Sequence, residues 1–156
     1  MIKAAYKVSV KDKGLTKLLG NLAESAAVRV GVLGVKADQT HKDSSESVGE
    51  IAAKHELGLG VPERSWLRGW IDENARLIDQ TLNSVGKKGL GGREALHKAL
   101  LQAGLVFEGG IKTRISNGIS PPNSPSTIAR KGSSTPLIDT GQLRSSIISE
   151  VTKWTG

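Results

Sequence analysis

The side chains of this sequence best suited to hold a metal or move a proton are three histidines, His41, His55 and His97. None is followed by a second histidine or an acid three or four positions on, so no zinc pattern forms, although Glu56 stands directly after His55. Isolated histidines of this kind are packed or exposed side chains rather than ligands. Serines are plentiful, yet no G-x-S-x-G nucleophile elbow occurs. Gly31-Val32-Leu33-Gly34 follows a strand-like run but lacks the third glycine and the helix of a dinucleotide fingerprint. Gly86 to Gly92, with Lys87 and Lys88, has no Lys-Ser/Thr pair to close a phosphate loop and reads as a hinge between helices. Asp72 and Glu73 are consecutive, so on a helix they do not face each other and read as a solvated surface. The expectation is a chain that is not an enzyme, with no cofactor and no metal.

Charge says more than nucleophiles do. Lys and Arg number 22 against 15 Asp and Glu, a net +7. Such a surface invites nucleic acid or an acidic protein face without choosing between them. Residues 109–138 contain no acid but do contain Lys112, Arg114, Arg130 and Lys131. One reading is a basic arm that touches DNA phosphates or an acidic subunit surface. The other is a solvated loop that happens to lack acids. Base reading has little support, because no basic helix carries the interleaved aromatic or amide side chains it needs. Cysteine is absent, which excludes disulfides, thiolate metal sites and thiol nucleophiles. The first residues, Met1 to Lys7, lack the apolar core of a signal peptide, and no run reaches the ~18 apolar residues of a membrane span. The chain is expected to be made in the cytoplasm and used there or carried out inside a particle.

The elements that must position these residues follow from period and punctuation. Residues 1–156 fit a single domain. Tyr6 to Lys11 alternates as a half-buried strand, and Leu15, Leu18, Leu19 and Leu22 share one face of a short helix. Ala27 to Gly34 is the clearest strand, with Val28, Val30 and Val32 on one face. Residues 35–47 are polar and read as a mobile loop. A helix from Val48 to Leu57 should point Ile51, Ala52 and His55 inward and stop at Gly58. Ser65 is placed to cap a long helix running to about Val85, with Trp66, Leu67, Trp70, Ile71, Leu77, Ile78, Leu82 and Val85 as its stripe and Gly86 beyond its end. A second long helix begins near Arg93 and carries Leu96, Leu100, Ala103, Phe107, Ile111 and Ile115 on one side. Gly104, Gly109 and Gly110 within it suggest close backbone approach or a bend. From Ser116 to Pro136, proline, glycine, serine and threonine replace any period, which reads as an extended arm. Leu143 then anchors a turn around residues 142–144, and Ile147, Ile148 and Val151 suggest a last strand. The expected fold is α+β: a small antiparallel sheet of about three to four strands packed against two long helices.

Three stretches carry a resemblance when taken in order. Glu50 to Gly58 reads as I-A-x-x-x-E-x-G from Ile51, and Val61 to Arg68 as V-P-x-R-x-W-L-R. Far downstream stand Lys131-Gly132 and Pro136-Leu137-Ile138-Asp139-Thr140-Gly141-Gln142-Leu143, closing at Ser146-Ile147. The set resembles tail-completion and neck proteins of siphophages and Mu-like phages over about residues 26–152. Segment 87–117 matches only as a helical pattern, and the 35–47 loop does not contribute. The resemblance implies a structural protein of the virion neck, made in the host cytoplasm. It implies a homo-oligomeric ring, sixfold to match the tail, that completes the tail and touches the connector or adaptor on one side and the tail terminator on the other. Non-specific contact with DNA in the lumen fits that picture, and a membrane has no part in it.

Each motif residue also has a physical reading. Pro62 suits a helix approach, Arg64 and Leu67 belong to the same motif, and Trp66 serves either a core or an interface. Asp139 or Thr140 can cap the late turn, and Gly141 supplies an unusual φ. The competing function is a small basic nucleic-acid-binding protein of the cytoplasm, resting on the +7 charge and the acid-free stretch.

Overall fold

The computed structural model describes residues 26–42 and 44–153. The strand expected at 6–11 and the helix expected at 15–22 lie outside the described residues. Strand β1, Ala26–Val32, pairs antiparallel with β2, Ile147–Lys153, with Val28 opposite Val151 and Val32 opposite Ile147. Alternation puts Val28, Val30, Val32, Ile147 and Val151 on one face, in contact with the core. Arg29 and Glu150 pair at 3.4 Å on the other face. The described sheet thus has two strands rather than three to four. Apart from 6–11, no further stretch alternates. Residues 35–47, the one long polar stretch nearby, contribute only an isolated bridge, Thr40 to Ser47.

A short helix stands at the start of that stretch, which was expected as a mobile loop. Helix α1, Val35–Asp38, packs so closely on the next helix that a Cβ on Gly49 would stand 3.1 Å from that of Ala37. The Val48 amide closes the loop on the Gln39 carbonyl at 2.8 Å. Helix α2, Val48–Leu57, has the expected bounds and stops at Gly58 in the left-handed region, φ 70°. Ser47 and Glu50 form a reciprocal capping box at its start. Its buried stripe is Val48, Ala52 and Glu56, not Ile51, Ala52 and His55. The face is turned toward Glu56, whose carboxylate takes four donors from the following segment.

The long helix expected from Ser65 to Val85 is two helices, α3, Arg68–Glu73, and α4, Ala75–Gly89. Asn74 makes the break: its side-chain amide donates to the Trp70 carbonyl at 2.8 Å, a local bond that competes with helix continuation. Trp66, Trp70 and Val85 are buried from the expected stripe, while Ile71, Leu77 and Leu82 are exposed. Gly86 stays helical and α4 runs on to Gly89. Helix α5, Arg93–Ser116, forms as expected and buries Leu100, Ala103, Phe107, Ile111 and Ile115. Close approach explains two of its glycines. A Cβ on Gly104 would meet Ser149 at 2.9 Å and Val28 at 3.0 Å, so the sheet rests on the helix backbone. A Cβ on Gly110 would stand 2.6 Å from the Trp70 indole, which in turn tilts against Phe107 with ring centroids 5.7 Å apart. Gly109 has open space beside it.

The 116–136 stretch is not an extended arm. Pro125, which reads as a breaker, opens helix α6, Pro125–Lys131, and Ser124 caps it by accepting the Thr127 N–H at 3.2 Å. Before it, Ile119 and Asn123 are buried, and the Asn123 amide donates to the carbonyls of Ser133 and Ser134 at 3.4 Å. The stretch therefore folds back on itself. Helix α7, Gln142–Ser146, then leads directly into β2.

Candidate functional site

The first two motifs meet at Glu56. Its carboxylate, on a residue 8% exposed, accepts from the Leu67 N–H at 2.8 Å and from the Arg68 N–H at 3.0 Å. The Ser65 hydroxyl donates to it at 2.8 Å, and the Arg68 guanidinium at 3.0 Å. Two of these donors are the orphan amides at the start of α3, so a side chain from the preceding helix caps the next. Burial pushes the Glu56 pKa up, but the backbone N–H groups, with Ser65 and Arg68 behind them, outweigh it and hold the carboxyl below its usual range. Ser65 was expected to be the N-cap. Its hydroxyl does accept the Gly69 N–H at 3.0 Å, but the helix starts two residues later than that role implies, because Glu56 takes the first amides.

Around this carboxylate the remaining motif residues tie distant segments. Arg64 is buried, 6% exposed, and donates to the carbonyls of Pro121 at 2.8 Å and Pro122 at 3.2 Å. Burial lowers its pKa without taking it from the charged form at neutral pH. Its own amide holds the His55 carbonyl at 2.7 Å. Trp66 is buried with its indole N–H on the Ala52 carbonyl at 3.1 Å, so core is its role in this chain. Leu67 is half-buried against the same core, and Pro62 is exposed at the outer bend.

The late motif closes a cleft on the other side of α2. Thr140 accepts the Gln142 N–H at 3.3 Å, Gly141 takes φ 74°, and Leu143 is buried. Gln142 reaches back across the chain, donating to the Thr40 carbonyl and accepting the Lys42 N–H, both at 3.1 Å. Leu137 is buried at φ 62°, a conformation strained for leucine. The cleft so formed is about 560 Å³, and His41, Lys54, His55, Arg130, Asp139 and Thr140 line it. Lys54 is spent on an ion pair with Glu46.

The four basic residues of the acid-free stretch are not brought together. Lys112 bonds Glu108 at 2.7 Å, one helical turn back, and Glu108 also accepts from Ser149 at 3.1 Å. Burial raises the Glu108 pKa, but Lys112 and Ser149 outweigh it and the net direction is down. Arg114 pairs with Glu73 and donates to the Ser65 carbonyl at 3.2 Å, lying where Gly69 leaves room for it. Both draw their acids from outside the 109–138 stretch. Arg130 is exposed on α6 at the cleft, and Lys131 is the last residue of that helix.

Sequence reasoning gave Glu56 no role of its own, naming it as a neighbour of His55 and as the glutamate of the first motif. The signal that could have found it is the glutamate of the first motif followed at fixed distance by Ser65 and Arg68. Among the described residues no group of three or more His, Cys, Asp or Glu is placed to hold a metal ion, and no helix is long and apolar enough to cross a membrane. The site's geometry is one of caps, clamps and ion pairs that fix segments against each other. Compared with protein-family models, curated proteins and solved structures, the chain matches none of them.

Proposed function

We propose that the chain is a structural protein of a phage virion neck, a tail-completion subunit that assembles as a homo-oligomeric ring between connector and tail terminator. The observation that carries this reading is the work done by the motif residues. Glu56, Arg64, Trp66 and Gln142 are all committed to backbone groups of other segments, and Thr140 to its own turn. Side chains so engaged shape a surface, as a subunit that works by fitting its neighbours requires.

The competing reading, a basic nucleic-acid-binding protein of the cytoplasm, draws on the +7 charge. Lys112 and Arg114 count against it, because each is neutralised by an acid. Negative-stain images of the purified chain test the two. Closed rings, with DNA retention weak and lost at moderate salt, are the expected result. Monomers that retain DNA with a steep salt dependence would replace this reading with the other.

A further inference from the structure

The cleft of about 560 Å³ beside α2 is walled by segments far apart in the chain: the stretch before α2, α2 itself and the late motif. The buried part of its lining is apolar, Leu137 and Leu143, with half-buried Ile51 and Val61 beside them. Leu137 keeps its place at φ 62°, a strain that the surrounding packing has to sustain. The Gln142 amide, bonded to Thr40 and to Lys42, ties the segment that carries His41 to α7. The walls are therefore set by the fold before anything enters. Of the cationic side chains in the lining, Lys54 is neutralised by Glu46. Arg130 is exposed, and among the described residues no acid bonds to it. An apolar lining with an uncommitted guanidinium suits an apolar group that carries a single negative charge.

We propose that this cleft binds a short segment of a partner protein in which a branched apolar side chain stands next to a carboxylate. The apolar group packs on Leu137 and Leu143, and the carboxylate pairs with Arg130. A nucleic acid fits the same cleft poorly. It brings a phosphate at every nucleotide, and the phosphates flanking one held by Arg130 would meet Glu46 and Asp139 in the lining. A peptide with one acid places its charge at Arg130 and nothing but neutral groups elsewhere. The inference goes beyond the neck reading and does not need it, since it concerns what the cleft accepts rather than what the chain assembles into.

The isotope-labelled methyl signal of Ile51, assigned by its loss in Ile51→Val, reports on the cleft in full-length protein, whether single or assembled. The probe is the peptide acetyl-Gly-Leu-Glu-Gly-amide, which should move this signal saturably at millimolar concentration. Exchanging its Glu for Gln, or its Leu for Ser, should weaken binding about fivefold or more. Arg130→Gln should weaken the Glu peptide to the same degree and leave the Gln peptide unchanged, the mark of a direct pair. Arg76→Gln, exposed on α4, should change neither. Oligothymidylate should bind more weakly than the Glu peptide. No movement of the Ile51 signal, equal affinity for the three peptides, indifference to Arg130→Gln, or tighter binding of oligothymidylate would each overturn the proposal. None of these readouts depends on ring formation, so this inference and the proposed function fail separately.

Discussion

At the scale of single residues, Glu56 has the sharpest consequences. Replacing it with Gln keeps the shape but leaves the Leu67 and Arg68 amides short of an anionic acceptor, which should cost about 1–3 kcal/mol in denaturant melts at neutral pH. The pH dependence has a definite sign. A carboxyl whose pKa is lower in the folded state stabilises fully above its unfolded value, about 4.3, and loses that contribution as pH falls through the folded value. The gap between parent and Glu56→Gln should therefore narrow below about pH 4.3. A constant gap from pH 7 to 3 would mean that the carboxylate is not held as described. This residue was hard to read in the sequence because a helix stripe is inferred from apolar side chains. Glu56 occupies a buried position by virtue of four donors that arrive from a separate segment. Arg64 was legible as a motif residue, but not its job, since the Pro121 and Pro122 carbonyls it clamps lie far along the chain.

At the scale of elements, α5 is the beam on which the sheet, α3 and α4 rest. Phe107 is 7% exposed and touches Trp70, so Phe107→Ala should cost about 3–5 kcal/mol. A loss under about 1 kcal/mol would remove it from the core. The adjacent glycines should respond in opposite directions. Gly110→Ala drives a methyl into the Trp70 indole and should destabilise by about 1–3 kcal/mol, whereas Gly109→Ala meets open space and should stabilise by up to about 1 kcal/mol. Thermal melts of the two variants check this, and equal shifts would contradict the packing. Helix α5 and strand β1 were legible because their apolar residues repeat at a single period, and α2 was legible in its bounds through Gly58 but not in its buried face. The break at Asn74 was not, because the apolar period runs through it while one side-chain bond to the Trp70 carbonyl ends the helix. Helix α6 was missed for the converse reason: Pro125 and Ser124 look like loop composition, yet they are N1 and N-cap residues. Two strands were found where three to four were expected, with residues 6–11 outside the described part.

At the scale of the whole molecule, the basic residues divide into those that hold the fold and those that face outward. Arg114→Glu should destabilise clearly, since it turns the bond to Glu73 into a repulsion and abandons the Ser65 carbonyl. Arg130→Glu should leave melts within about 0.5 kcal/mol of the parent, because the side chain is exposed. On the proposed function, Arg130→Glu together with Lys131→Glu should yield heads and tails that fail to join. Infectious particles at normal titre would make that end of α6 a plain solvated surface. The pairing of β1 with β2 has one more consequence, for the order in which the protein can be made. The sheet joins Ala26–Val32 to Ile147–Lys153, and everything else described lies between them in sequence. On the ribosome, β1 emerges early and must wait, unpaired, until nearly all the later helices have been translated. Long-range closure of this kind slows folding. Helices α2 to α5, whose contacts are local, can collapse first, and β1 depends in the meantime on whatever shields an open strand in a nascent chain.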